Sequence, residues 1–146
     1  MKSFFIQYGC GLSAPIGWQN YDASPTLRLQ RIPVIGRLMH GRVSFPLSVH
    51  YGDIVKGLPV EDCSSQAVYC SHVLEHLSLT EFKCALVNTY KLLMPGGVFR
   101  LVMPDLESLI ETYRQDRSKV AAVNFMKNSG IATEIKSKDI SGFMTD

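Results

Sequence analysis

The stretch FFIQYGCGLSAPIGWQNYD, residues Phe4 to Asp22, constrains the fold more than any other part of the chain. Phe4 to Tyr8 is apolar and aromatic, stops at Gly9, and reads as a buried strand. Trp18 to Asp22 reads as a second strand. Only the segment from Gly9 to Gly17 separates them. A crossover between parallel strands usually takes about a dozen residues or more and contains a helix. No helix fits here, so Gly9 and Gly11 stand in a bare loop at a strand end. Glycine in such a place lets the backbone approach a ligand closely and accept a positive φ.

The rest of the chain supplies the other layers. Ser48 to Gly52 is a third strand candidate, ending in Gly52-Asp53. Residues 56 to 66 carry Gly57, Pro59 and Asp62 and form a loop. Gln66 to Ser71 is a fourth strand, in which Ala67, Val68, Tyr69 and Cys70 make a continuous apolar run, as expected of a strand covered on both faces. Ser78-Leu79-Thr80-Glu81 spells a capping box. The helix it opens runs to about Leu93, with Leu79, Phe82, Leu86, Tyr90 and Leu93 as its apolar stripe. Met94-Pro95-Gly96-Gly97 ends it in a turn, and Val98 to Met103 follows as a fifth strand. Asp105 caps a further helix bearing Leu106, Leu109, Ile110 and Tyr113 on one face. Another helix covers Ser118 to Asn128, stopped by Gly130, and a loose polar tail follows from Ile131 to Asp146.

Residues 25 to 47 are broken by Pro25, Pro33, Gly36, Gly41 and Pro46 and carry Arg28, Arg31, Arg37 and Arg42. A short helix fits around 26 to 31. Beyond it, the segment reads equally as a lid over a binding site or as a connector packed onto the sheet. Strands alternating with helices predict an α/β fold with a mostly parallel sheet and helices on its faces. The expectation is one domain over residues 1 to 146, with 117 to 146 a helical or loose C-terminal segment.

Composition narrows the partners. With 46% hydrophobic and 19% charged residues in 146, the chain should fold as a globule around a single core. A net charge of +2 gives no footprint for nucleic acid or an anionic membrane. No apolar run approaches the roughly 18 residues of a membrane span. Met1 to Ile6 is too short an apolar stretch for a signal peptide. Cys10, Cys63, Cys70 and Cys84 contain no CxxC pair. They read as reduced thiols of a cytoplasmic protein, with Cys70 and Cys84 buried as small hydrophobes.

Set on a parallel sheet, the motifs converge. Gly9-Cys10-Gly11 ends the first strand, Asp22 the second, Asp53 follows the third, and Ser71-His72 ends the fourth. In such sheets ligands bind beyond the carboxyl ends of the strands. A carboxylate after the second strand can accept both hydroxyls of a ribose, and one after the third can accept from an adenine amino group. The combination describes a pocket for an adenosine.

YGCG, NYD, YGDI, VYCSHVLEHL and LLMPGGVFRLVMPDLE, in this order over residues 4 to 114, resemble the class I S-adenosylmethionine-dependent methyltransferases. The chain is most similar to the small bacterial, type 11-like branch with a short link between the first two strands. The resemblance implies a Rossmann-like three-layer αβα sandwich with strand order 3-2-1-4-5. It implies methyl transfer from S-adenosylmethionine, by in-line displacement, to an acceptor the sequence does not identify. Carried over by position, Gly9 and Gly11 line the methionine part of the cofactor, Asp22 holds the ribose, Asp53 and Ile54 the adenine, and Ser71 and His72 lie under the sulfonium. The resemblance also counts Tyr8, Cys10 and Ala23 among the cofactor-binding residues. His72 is the candidate base, although the same position suits a framework histidine. The family's sheet continues past its fifth strand, so a truncated chain or an early end to the sheet is expected here, with the fifth strand's edge open to a homodimer.

Two other readings stand beside this one. A module could hold the cofactor without a complete acceptor site. His72, Glu75 and His76 also spell HxxEH, a zinc-hydrolase pattern, but the motif begins at a strand end, and Glu75 and His76 read better as parts of the strand-to-helix turn.

Overall fold

The structure is a computed structural model in which residues 4–32 and 44–129 are described. Two compact units divide the chain, one ending at Met103 and one beginning at Pro104. The first contains strands β1 (Phe4–Tyr8), β2 (Trp18–Asp22), β3 (Val49–Tyr51), β4 (Ser65–Ser71) and β5 (Leu93–Val102), with helices α1 (Pro25–Gln30) and α2 (Leu79–Leu92). The strands form one sheet in the order β3-β2-β1-β4-β5. Every pairing is parallel. The second unit contains helices α3 (Leu106–Gln115) and α4 (Ala121–Asn128).

β1 and β2 are parallel neighbours, Ile6 opposite Gln19 and Tyr8 opposite Tyr21, although the link between them contains no helix. Alternation along the strands divides the core. Ile6, Tyr8, Tyr21, Val68 and Cys70 gather on one face with Leu74 and with Ala85 and Leu92 of α2. On the other face Leu27 of α1 packs with Cys10, Phe45 and Val49. Helices thus cover both faces, and the sandwich is three-layered.

The expected apolar stripe of α2 needs correcting. The buried residues are Ala85, Thr89 and Leu92, with Phe82 and Leu86 packed beside them. Leu79 and Tyr90 are exposed, at 69% and 79%. Tyr90 lies one residue, about 100° of helix, round from Thr89. The polar Thr89 occupies the core position because its hydroxyl donates to the buried Tyr8 hydroxyl at 3.1 Å. Cys84 falls on the outward side and is exposed, against the expectation of burial, whereas Cys70 is buried. The Ser78–Glu81 capping box is formed in both directions.

β5 begins earlier than the sequence suggests. Leu93 pairs with Ser65, the chain loops out, and Val98 resumes opposite Ala67. The Pro-Gly turn is therefore a bulge inside the ladder. Gly96 has φ +80°, and a Cβ on Gly97 would come within 2.9 Å of the Met94 carbonyl oxygen.

In the second unit, Asp105 caps α3 by accepting from the Glu107 and Ser108 amides. The Tyr113 and Phe125 rings, 5.4 Å apart, join α3 to α4. The expected Gly130 stop and the polar tail lie outside the described residues, as do Arg37 and Arg42. The other two arginines fasten the segment after β2 to the sheet. Arg31 donates to the carbonyl oxygens of Pro46, Leu47 and Val49, the last at 2.6 Å. Arg28 stacks over the Tyr51 ring at 4.7 Å.

Candidate functional site

All five strands run the same way, so the residues that end them share one edge of the sheet. The glycine loop is the best-defined part of that edge. Gly9 has φ +62° and Gly11 φ +54°. A Cβ on Gly9 would lie 2.0 Å from Val73 Cγ2, so glycine is required where the loop passes beneath the residue after His72. A Cβ on Gly11 would meet no atom within 4 Å, so space is open above it.

Asp22 ties this loop to the end of β2. Its Oδ2 accepts from the Gly11 amide and its Oδ1 from the Ser24 amide, both at 2.8 Å. Each carboxylate oxygen keeps a further lone pair for an outside donor. The Cys10 amide donates to the Tyr21 carbonyl oxygen at 3.1 Å. Burial, and then the negative charge of Asp22, push the Cys10 thiol up to about 11.

Asp53 is half-buried beyond β3. Its Oδ1 accepts from the Val55 amide at 3.0 Å, and Lys56 sits 3.4 Å from its Oδ2. The turn is pinned by α2, because the Asn88 side-chain amide donates to the carbonyl oxygens of Ile54 at 2.8 Å and Val55 at 3.1 Å. Nothing in the helical pattern around Asn88 points to this role, which depends on a contact across 34 residues of sequence.

At the end of β4, His72 takes φ +53°, a backbone region that side chains other than glycine seldom adopt. Its amide donates to the Val102 carbonyl oxygen at 3.0 Å. Its exposed ring places Nδ1 3.1 Å from Glu75 Oε1. The rest of the HxxEH segment is a single 3-10 turn, Leu74–His76. Among the described residues no group of three or more His, Cys, Asp or Glu is placed to hold a metal ion, and the zinc reading has no support.

The structure therefore brings Gly9, Cys10, Gly11, Asp22, Ala23, Asp53, Ser71 and His72 to one edge. Two expected contributors present only backbone there. Tyr8 is buried against Thr89, and burial pushes its hydroxyl well above the usual tyrosine range. Ile54 is 5% exposed and its side chain belongs to the core. A separate hollow of about 610 Å³, lined by Cys63, Tyr90, Lys91, Met94 and Phe99 among others, lies at the start of β5 and not at this edge.

Comparison with known proteins agrees with this architecture. Residues 30–101 match the family model described as a methyltransferase domain. No curated protein matches the sequence. Among solved structures, a protein from Pyrococcus horikoshii OT3 superposes with a TM-score of 0.53 at 16% identity, over 81% of this chain and 57% of its own. A second is an S-adenosylmethionine-dependent methyltransferase of Thermotoga maritima, named a possible histamine N-methyltransferase. It gives 0.50 at 17% identity, over 89% of this chain and 64% of its own. The chain thus spans less than two thirds of the length of either structure. Residues 30–101, just under half of the chain, are thus similar to a methyltransferase domain, and the 3-2-1-4-5 parallel sheet that carries them is the Rossmann-like fold of the two structures.

Proposed function

We propose that the chain binds S-adenosylmethionine along the carboxyl edge of its sheet and serves methyl transfer to a nucleophilic acceptor. The observation that carries this reading is the clasp of Asp22 on the Gly11 amide beside open space. The residues present fit the cofactor. Gly9 and Gly11 give a loop that a ligand can approach closely, and no diphosphate-binding helix follows β1. Asp22 offers its spare lone pairs to ribose hydroxyls, and the turn at Asp53 and Ile54 offers a carboxylate and backbone groups to an adenine.

When bound, the cofactor supplies an electrophilic methyl group. The chain's own part is to hold an acceptor in line and to exclude water, which accounts for most of the acceleration available to a displacement of this kind. His72 is positioned to take a proton from an acceptor that must lose one. Four free cysteines among the described residues suit a cytoplasmic setting, and no helix among those residues is long and apolar enough to cross a membrane.

The test is turnover of S-adenosylmethionine carrying a labelled methyl group, against panels of small amines, phenols and sugars. Formation of S-adenosylhomocysteine that requires both protein and one acceptor class supports methyl transfer. Binding of the cofactor with no product on any panel would favour a ligand-holding module instead.

A further inference from the structure

We propose that Glu75 is a positioning residue for His72: its carboxylate holds the imidazole with the proton on Nδ1, so that Nε2 presents a lone pair at the carboxyl edge of the sheet. This rests on the methyl-transfer reading and deepens it, because the acceptor must then be one that gives up a proton, such as a hydroxyl or an ammonium group.

Three observations carry it. The first is the contact itself, 3.1 Å between His72 Nδ1 and Glu75 Oε1. A carboxylate can only accept, so the nitrogen facing it bears the proton. The second is burial. Glu75 is 13% exposed, while the His72 side chain is 60% exposed. The other carboxylate oxygen, Oε2, is buried with no hydrogen-bond partner. A carboxylate held in that way is costly, and a contact to the imidazole offsets part of the cost. The third is strain. His72 keeps a left-handed φ of +53° immediately before the turn that carries Glu75. Strained non-glycine residues persist where the surrounding structure fixes them, and they cluster at working sites. A surface histidine with a framework role needs neither the strain nor a half-buried partner.

The proposed step is a proton transfer. The acceptor's O–H or N–H bond breaks, its electron pair stays on the oxygen or nitrogen, and the proton goes to His72 Nε2. The imidazole becomes an imidazolium facing the Glu75 carboxylate, and it returns the proton to water afterwards. The same arrangement of a carboxylate behind a histidine fixes tautomer and ring orientation in hydrolase triads.

The experiment is long-range nitrogen–proton NMR of the imidazoles in the full chain at pH about 8.5, where an ordinary histidine with pKa near 6.5 is neutral. Free neutral histidine favours the proton on Nε2. His72 is expected to show the opposite, a single Nδ1–H tautomer. Glu75→Ala should return it to the free pattern. Glu75→Gln, which keeps size and polarity should the alanine variant fail to fold, should give a mixture, because an amide can accept or donate. A purely structural glutamate would leave the tautomer unchanged. Calorimetry with S-adenosylhomocysteine on the same samples separates the two readings. Cofactor binding without tautomer selection at His72 overturns the pairing. Tautomer selection without cofactor binding overturns the methyltransferase reading on which the pairing's role rests.

Discussion

Gly9 and Gly11 have almost the same backbone conformation and opposite surroundings, so they separate folding from binding. Gly9→Ala places a Cβ 2.0 Å from Val73 Cγ2 at a positive φ. Left-handed strain of roughly 1–2 kcal/mol combines with an overpacking cost of about 1–3 kcal/mol. The expected result is a clear loss in urea or thermal stability. Gly11→Ala meets only the strain, because nothing lies within 4 Å of the added carbon. It should fold with a smaller loss and bind S-adenosylhomocysteine markedly more weakly, since the methyl occupies the space the ligand needs. Equal effects of the two substitutions on stability and on binding would contradict this assignment. The glycines and Asp22 were legible in the sequence because their chemistry is local: a strand end, a loop without a helix, an acid. Asn88 was not, because an asparagine on a helix looks like a solvated residue until the turn after β3 is folded beneath it. The hydrogen bond of His72 to Glu75 was legible only as a spacing that also fits a metal motif.

Among the elements, α2 and β5 show where periodicity misleads. The stripe read from Leu79 to Leu93 counted apolar residues, whereas the face that meets the sheet includes Thr89 and Ala85. Threonine is tolerated there because Tyr8 supplies a hydroxyl partner, a match that spans 81 residues and has no local signal. The start of β5 was hidden because Pro95-Gly96-Gly97 reads as a turn, and a turn looped out within a ladder looks identical in sequence to one that ends a helix. The same helix gives an element-scale prediction. Asn88→Ala removes two hydrogen bonds to the turn carrying Asp53 and Ile54. At about 1 kcal/mol for each bond, stability should fall by roughly 1–2 kcal/mol. Hydrogen exchange of the amides from 53 to 57 should quicken, and affinity for S-adenosylhomocysteine should drop while Asp22 and its clasp are untouched. Unchanged exchange in that turn would show that Asn88 does not hold it.

For the whole molecule, the sheet order was expected from family resemblance and not from the strands themselves, since alternation of strands and helices fixes parallel pairing but not which strand lies beside which. Two properties of the assembled fold can be measured. The first is alkaline stability. Burial pushes the thiols of Cys10 and Cys70 up to about 11 from an ordinary 9.0. Both groups are favoured in the protonated form when folded, so the unfolded chain loses these protons first. Their contribution is fully present below pH 9 and is lost as pH rises from about 9 to about 11, and the Tyr8 hydroxyl acts in the same direction. Replacing both cysteines with serine or alanine should flatten that part of the stability curve, measured by chemical unfolding across the range. The second is association. Among the described residues β5 pairs only with β4, so its other side is a sheet edge, and Val98 on it is 61% exposed. Unprotected edges invite pairing. Light scattering at micromolar concentration is expected to show a dimer, and a mass of 16.3 kDa that does not change on concentration would contradict it.

The glycine loop, Asp22 and the turn at Asp53 are proposed to act together as one site for S-adenosylmethionine. Titration calorimetry with S-adenosylhomocysteine and, separately, NAD tests it most directly. Saturable one-to-one binding of S-adenosylhomocysteine is expected and none of NAD, whose diphosphate would find no helix N-terminus behind β1. Asp22→Asn should weaken the binding by about 1.5–3 kcal/mol through lost charge-assisted hydrogen bonds. A folded sample that binds NAD, or that gives no heat with millimolar S-adenosylhomocysteine, would contradict it.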